Sequence, residues 1–151
     1  MSTAADFVLH PRLEEDCVPL GRLTLCRVLL MNDARFPWCL LVPERSDVHE
    51  IYALDERDQQ VLMRESVIVC RALVDAFRPD KLNVAALGNQ VPQLHLHHVA
   101  RFRTDAAWPR PVWGSGEAEA YSSAALGATS ERLAQALSAV ADAAGTRFTP
   151  W

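Results

Sequence analysis

The sequence predicts an α+β domain in which an antiparallel sheet is combined with helices. Three observations lead to this prediction: two apolar runs joined by a turn, one long amphipathic stretch, and two more apolar runs after it. Strands paired in hairpins around a long helix are typical of this fold class. At 151 residues, the chain is most simply one domain, residues 1–151, which is long enough to bury its own core.

The first hairpin is predicted from two apolar runs with turn residues between them. Residues 23–31 form one run, and residues 38–42 form a second that ends at Pro43. The intervening residues 32–35, Asn-Asp-Ala-Arg, have the composition of a turn. Two such runs joined by a turn predict an antiparallel pair of strands.

Two helices are expected. Asp55 suits an N-cap, and the residues after it, as far as Phe77, show helical spacing of apolar side chains at Leu62, Val69, Leu73 and Phe77. Pro79 should end this helix. A second helix is predicted to begin near Ser130 and to stop at Gly145, with an apolar face formed by Leu133, Leu137 and Val140.

Two further strands are predicted at residues 82–87 and 93–102, joined around Gly88, Asn89 and Gln90. Residues 106–114 contain too much proline for regular structure and are expected to form an aromatic loop. Its tryptophans, Trp108 and Trp113, either anchor the loop or stack on a bound base, and anchoring is favoured.

The most informative segment is Gln-Leu-His-Leu-His at residues 93–97. On an extended strand Gln93, His95 and His97 would share one face. A neutral imidazole can attack phosphorus and form a covalent phosphoramidate, while a second imidazole binds a phosphate oxygen or helps to protonate the leaving group. The same spacing suits two metal ligands, or histidines with a purely structural role. Spacing alone leaves these three alternatives level.

Composition and charge exclude several classes of function. Fifteen basic and nineteen acidic residues give a net charge of −4, which argues against binding to nucleic-acid polymers or to anionic membranes. The four cysteines are widely spaced and are interpreted as reduced thiols. Residues 1–6 lack the pattern of a signal peptide, and no apolar run is long enough to span a bilayer. A cytoplasmic location is therefore expected.

Residues 83–101, NVAALGNQVPQLHLHHVAR, resemble the signature strand-turn-strand of the histidine triad (HIT) superfamily, whose motif is His-φ-His-φ-His-φ-φ with φ an apolar residue. Residues 29–33 and 40–43 resemble the nucleoside-binding hairpin of that family, and the long helix falls where the fold places one. The resemblance covers about residues 22–103, which leaves residues 104–151 as a C-terminal extension. It implies a HIT-like antiparallel sheet with a long helix and a C-terminal helix.

The resemblance also implies an activity, namely nucleotide phosphate hydrolysis or nucleotidyl transfer through a nucleotidyl-histidine. By position, His95 matches the nucleophile and His97 the histidine that contacts the phosphate. The residues that match nucleotide-binding positions are Asn32 for the ribose, Asn89 and Gln90 for the phosphate, and Asn83 for the site wall. The family implies a homodimer. It implies no required cofactor and no bound metal, apart from a divalent cation that a nucleotide can bring with it.

The chain departs from the family at several positions. Gln93 replaces the first histidine of the triad and by position is expected among the catalytic residues with His95 and His97. A titratable ring is lost there while hydrogen bonding is kept. His98 occupies a slot that is normally apolar, and Trp38 stands about where the family has a histidine. A bacterial subgroup of HIT-like proteins shares the first-position Gln and the Ala-Ala-Trp-Pro segment that follows here at residues 106–109. Two alternatives are kept: a nucleotide-binding protein with little turnover, and a metal-dependent hydrolase that uses His95 and His97.

Overall fold

A computed structural model describes residues 7–151, and these residues form an antiparallel sheet of six strands in the order β4-β5-β3-β2-β1-β6. In chain order the elements are α1 (Pro11–Asp16), β1 (Cys17–Arg22), β2 (Cys26–Met31), β3 (Trp38–Pro43), a 3₁₀ turn (Ile51–Ala53), α2 (Glu56–Phe77), β4 (Lys81–Ala85), β5 (Leu96–Arg101), α3 (Ser123–Ala143) and β6 (Thr149–Pro150). The predicted α+β class is confirmed. The expectation about a signal peptide concerns residues 1–6, which lie outside the described part of the chain.

The predicted hairpin is the centre of the sheet. β2 and β3 pair in antiparallel register from Cys26 opposite Pro43 to Leu30 opposite Cys39. β2 begins at Cys26 rather than at residue 23, because the Leu23 amide bonds back to the Cys26 carbonyl at 2.9 Å and closes a turn. All six residues of β3 are buried, as expected for a strand with neighbours on both sides.

The long helix has the predicted bounds. The Asp55 carboxylate accepts a hydrogen bond from the Asp58 amide at 2.8 Å and so caps α2. At the other end Arg78 adopts a left-handed conformation with φ 49°, directly before Pro79. The buried face of α2 packs against the sheet, with Leu62, Val69 and Leu73 in the core.

The predicted start of the second helix near Ser130 is wrong. α3 begins at Ser123, and the Ser122 hydroxyl caps it by accepting from the Ala125 amide at 3.2 Å. The first two turns of α3 are mostly exposed, so no apolar periodicity marks them in the sequence. Leu133 and Leu137 are fully buried as expected.

The two faces of the sheet are covered differently, and this places the site. One face carries α2 and α3 over the larger apolar cluster. The other face is covered by the N-terminal segment and by the loop after β5, through Phe7, Leu9, Leu13, Ala107 and Val112. Within residues 7–151, no helix is both long and apolar enough to cross a membrane.

Candidate active site

His95 and His97 lie together at the face of the sheet opposite α2. His97 belongs to β5, and His95 immediately precedes that strand. Their ring centroids are 4.8 Å apart in an edge-to-face arrangement, and each residue is only 6% exposed. The two imidazoles therefore form a close, largely desolvated pair.

Gln93 does not extend this row. The predicted strand start at residue 93 is wrong, since β5 begins at Leu96 and Gln93 lies in a bend. Pro92, which has no amide hydrogen, directly precedes that bend and is unsuited to a strand ladder. The Gln93 carboxamide instead bonds the backbone of Val8 and His10, at 2.9 Å in each case. It does not line the cavity beside the histidines.

The tautomer of His95 is fixed by its surroundings. Its Nδ1 lies 2.7 Å from the Gln93 carbonyl oxygen, which can only accept, so Nδ1 carries the proton and the neutral ring leaves Nε2 unprotonated. Burial lowers the pKa of His95, although this hydrogen bond opposes the shift. Near pH 7 the ring is thus neutral, which is the nucleophilic form.

His97 is the opposite tautomer. The indole Nε1–H of Trp38 donates to His97 Nδ1 at 3.0 Å, so Nε2 carries the proton. Burial, reinforced by the neighbouring His95 and His98, lowers the pKa of His97 to about 3. His97 is therefore a neutral hydrogen-bond donor at pH 7. The Trp38 position is where the family resemblance leads one to expect a histidine, and the indole supplies a donor there.

A cavity of about 710 Å³ opens in front of the two histidines. Three of the four predicted nucleotide-binding residues line it: Asn32, Asn89 and Gln90. The turn before β5 contains Gly88 at φ 74°, a left-handed conformation that glycine adopts without strain. This turn brings the backbone around Asn89 and Gln90 to the edge of the cavity.

Asn83 does not line the cavity. Its Oδ1 accepts a hydrogen bond from Arg101 at 2.8 Å. Arg101 is only 2% exposed, and it also binds the Asp105 carboxylate and the Arg110 carbonyl. Asn83 therefore supports the loop after β5 and does not face the histidines.

That loop places Trp113 at the site. The Trp113 ring lies 5.3 Å from His97 and 6.0 Å from Trp38, edge to face in both cases. Its Nε1 is buried and has no hydrogen-bond partner among the described residues. Trp108 lies away from the cavity, with the Arg101 guanidinium 5.8 Å from its ring. The loop thus has one anchoring tryptophan and one that faces the site.

Sequence reasoning missed two walls of the cavity. α1 contributes Arg12, Leu13 and Asp16. The stretch after Trp113 contributes Gly114, Gly116, Ala118 and Ala120, whose alternation of small residues is the only local signal of an extended wall.

Four hydrogen bonds fix the second wall to the hairpin turn, one of them from the Glu119 amide to Asp33 Oδ1 at 3.3 Å. The Tyr121 amide donates to Asn32 Oδ1 at 3.0 Å, and the Ala34 amide donates to the Glu119 carbonyl at 2.6 Å. Arg35, which also pairs with the buried Asp33 at 2.7 Å, donates to the Ser115 carbonyl. Asn32 therefore already supports the wall with its oxygen, and this leaves its Nδ2 as the group that can bond a ligand.

His98 belongs to the other face of the sheet, as predicted from its position in the strand. It is fully buried, its Nδ1 donates to the Leu96 carbonyl at 3.2 Å, and its Nε2 accepts from the Ser66 hydroxyl at 2.7 Å. Burial lowers the pKa of His98 to about 4, so its ring is neutral. It takes no part in the cavity.

The candidate metal ligands are not brought together. Among residues 7–151, no group of three or more His, Cys, Asp or Glu side chains is arranged to hold a metal ion. All four cysteines are free; Cys39 is buried as expected, whereas Cys70 is half-buried. Within this part of the chain, the metal-hydrolase alternative therefore lacks a third ligand for His95 and His97.

The comparisons with known proteins define the class. The family model described as HIT domain matches residues 12–104, well over half of the chain, and the chain belongs to the HIT family. No curated protein matches the chain.

Solved structures give the same result. The fold is similar to that of a histidine triad protein from Bradyrhizobium japonicum, at 48% identity and a TM-score of 0.85, with 87% of this chain and 98% of that chain covered. A histidine triad protein from Marinobacter aquaeolei VT8 is 46% identical with a TM-score of 0.86, covering 89% and 98%. One from Sinorhizobium meliloti 1021 is 42% identical with a TM-score of 0.86, covering 88% and 98%.

Proposed function

We propose that the protein is a nucleotide hydrolase or nucleotidyl transferase in which His95 takes up the nucleotidyl group. The observation that carries the proposal is the hydrogen bond from His95 Nδ1 to the Gln93 carbonyl, which leaves Nε2 unprotonated on a ring that lines the cavity. Membership of the HIT family supports nucleotides or nucleoside phosphate conjugates as the substrate class.

In the first step, the lone pair on His95 Nε2 attacks the α-phosphorus of the nucleotide. A P–N bond forms, the bond from phosphorus to the leaving group breaks, and the leaving group departs with the electron pair and takes a proton from water. The imidazole now carries a positive charge. The Gln93 carbonyl stabilises this charge, because it already accepts the Nδ1 proton at 2.7 Å.

In the second step, water attacks the same phosphorus in a hydrolase, or another hydroxyl compound attacks it in a transferase. The P–N bond breaks and its electron pair returns to Nε2, so that the neutral ring is restored. The attacking oxygen releases its proton to solvent. The product is a nucleoside monophosphate or its ester.

His97 has a different task from His95. Its Nε2–H can donate to a non-bridging phosphate oxygen, because Trp38 occupies Nδ1. With a pKa of about 3, His97 acts as a neutral donor and not as a charged acid. This property favours leaving groups of low basicity, which depart without protonation by the enzyme.

The remaining polar groups of the cavity orient the nucleotide. Asn32, through its Nδ2, is proposed to bond the ribose, and Asn89 and Gln90 are proposed to bond the phosphate oxygens. No cofactor is required by these steps, and a divalent cation would enter only with the nucleotide. The homodimer and the cytoplasmic location implied by the family resemblance stay predictions.

The proposal is tested with the p-nitrophenyl ester of AMP, which reports leaving-group release by colour. We expect burst release of p-nitrophenol, and intact mass spectrometry under neutral conditions should show one AMP unit that peptide mapping places on His95. His95→Ala should abolish both signals. His49→Ala, at an exposed histidine that does not line the cavity, is the matched control and should retain them. Unchanged turnover in His95→Ala, with no nucleotide on His95, would overturn the proposal.

A nucleotide-binding protein with little turnover is the second candidate. It is favoured by one observation, the low pKa of His97, which leaves the pair of histidines without an acid for a basic leaving group. Calorimetry with AMP, GMP, CMP and UMP separates the two functions. Clear binding of a monophosphate without release of p-nitrophenol from any of the four esters would favour the binding protein.

A further inference from the structure

The Gln93 carboxamide is engaged on the side away from the cavity, by the N-terminal arm, which we define as residues 7–16. Its Oε1 accepts from the His10 amide and its Nε2 donates to the Val8 carbonyl, both at 2.9 Å. These two backbone groups flank Leu9, and they are the pair that a neighbouring parallel strand would bond. The Gln93 side chain thus makes the two hydrogen bonds that the backbone of a paired strand would otherwise make.

Apart from these bonds, the arm is held on the sheet mainly by apolar contacts. Phe7, Leu9 and Leu13 are 8%, 7% and 3% exposed and belong to the apolar cluster below the histidines. The His10 side chain caps α1 by accepting from the Arg12 amide at 3.1 Å. A bond to the His10 amide therefore fixes the residue from which α1 starts.

α1 in turn forms one wall of the cavity, through Arg12, Leu13 and Asp16. The position of that wall depends on where the arm is docked. The main chain of Gln93 meanwhile accepts the Nδ1 proton of His95. One residue therefore bonds the arm with its side chain and the nucleophile with its carbonyl.

Only a carboxamide suits both arm contacts. Its oxygen and nitrogen are attached to the same carbon, so that an acceptor and a donor point to the same side. In a neutral imidazole the donor and the acceptor point away from each other across the ring. A histidine at position 93 could meet one of the two backbone groups but not both.

We propose that Gln93 is a positioning residue that docks the N-terminal arm, so that α1 closes a wall of the nucleotide cavity. The proposal rests on the proposed function for the identity of the ligand, but the docking itself does not. In this chain, the first position of the triad holds a carboxamide that bonds the arm and does not line the cavity.

The first measurement is amide hydrogen exchange of the free protein. In Gln93→Leu, the amides of His10 and α1 should exchange about tenfold faster, as expected when one or two hydrogen bonds that resist local opening are lost. Gln93→Glu keeps the acceptor for His10 but sets a carboxylate oxygen against the Val8 carbonyl where the donor was, so exchange of the arm should increase in this variant too. It also serves as the second variant if Gln93→Leu folds poorly. The matched control Gln60→Leu, at an exposed glutamine on α2, should leave exchange in the arm unchanged.

The second measurement is function. Gln93→Leu should raise the Kd for AMP and the KM for its p-nitrophenyl ester about tenfold, while kcat stays within a few-fold of the wild-type value. Leu9→Ala loosens the arm from its apolar side and should produce the same split. The double variant should be less affected than the sum of the two single changes, since both act on one docked segment. Gln93→His should not increase kcat.

The outcomes that overturn the proposal are distinct. Unchanged exchange of the arm in Gln93→Leu would show that the carboxamide does not dock it. A faster-exchanging arm with unchanged AMP affinity would show that α1 does not shape the cavity. A higher kcat in Gln93→His would show that position 93 acts on the chemistry itself. If the wild-type protein neither binds nor cleaves nucleotides, the proposed function fails, and the exchange measurement still decides the docking.

Discussion

Replacing His98 with leucine should make the stability of the protein less dependent on pH. His98 is fully buried on the face of the sheet that carries α2, where it bonds Ser66 and the Leu96 carbonyl. The HIT motif normally has an apolar residue in this slot. Leucine therefore removes a titratable group from a position that the fold can fill with an apolar side chain.

The magnitude follows from the pKa of His98, which burial lowers from 6.5 to about 4. Below pH 6.5 the unfolded chain binds a proton at this histidine, whereas the folded protein does not until the pH approaches 4. Lowering the pH from 6.5 to 4 therefore favours the unfolded state. By linkage, His98 should cost the folded state about 2 kcal/mol between pH 7 and pH 5, and about 3 kcal/mol in all by pH 4. Leucine has no such cost.

The assay is guanidinium unfolding at pH 7 and pH 5, compared between wild type and His98→Leu. His95 and His97 also have lowered pKa values and are present in both proteins. Because His98 is only the smallest cause of the His97 pKa shift, which stays dominated by burial, their contributions between pH 7 and pH 5 largely cancel in the comparison. The variant should lose about 2 kcal/mol less than wild type over this interval. Val99→Ala, a buried substitution without a titratable group, is the control and should keep the wild-type pH dependence.

If wild type and His98→Leu lose equal stability between pH 7 and pH 5, to within about 0.5 kcal/mol, His98 is not held neutral by its burial.

Two further predictions concern the support of the site. Trp38→Phe keeps a ring beside His97 but removes the indole donor, and we expect a loss of about 1–3 kcal/mol in unfolding free energy. Because the Nδ1–H tautomer of His97 then becomes available, kcat should also fall several-fold. Wild-type turnover together with wild-type stability would contradict this prediction. Although burial opposes it, hydrogen bonds from Arg101 and the loop backbone lower the pKa of Asp105 to about 2. Asp105→Asn should therefore destabilise the protein by at least about 2 kcal/mol at pH 7, with a smaller difference as the pH falls from 4 towards 2. Chemical unfolding across that range measures it, and equal stability at pH 7 would show that the Arg101 pair contributes nothing.

The elements that could be predicted are those whose signal is local. α2 has a capping aspartate at one end, a proline after the other and an apolar period between them, and these signals predict a helix from Asp55 to about Phe77, in agreement with the structure. The β2–β3 pair is likewise predicted from local signals, namely two apolar runs with turn residues between them. The predicted start of α3 is too late in the chain, because the first turns of the helix are exposed and show no apolar period. A helix that packs only with its later turns cannot be delimited from hydrophobic spacing.

The site was predictable in its centre and not in its surroundings. The spacing of His95 and His97 was enough to expect two neighbouring rings, and the resemblance extended this to Asn32, Asn89 and Gln90, which line the same cavity. Their roles in binding stay predictions. Asn83 and Gln93 matched by position as well, yet both side chains bond other parts of the chain. A residue's position in a motif does not determine which hydrogen-bond partners the fold brings to its side-chain amide.

The sequence by itself determined that two histidines stand side by side on a sheet, because alternation along an extended chain is a local property of the backbone. It could not determine that Gln93 turns away from them, that Trp38 sets the proton on His97, or that α1 and residues 114–120 wall the cavity. These depend on hydrogen bonds between residues far apart in the chain, such as those from Gln93 to the arm and from Trp38 to His97. Only the tertiary structure brings such donors and acceptors together, and burial then decides the protonation of each ring.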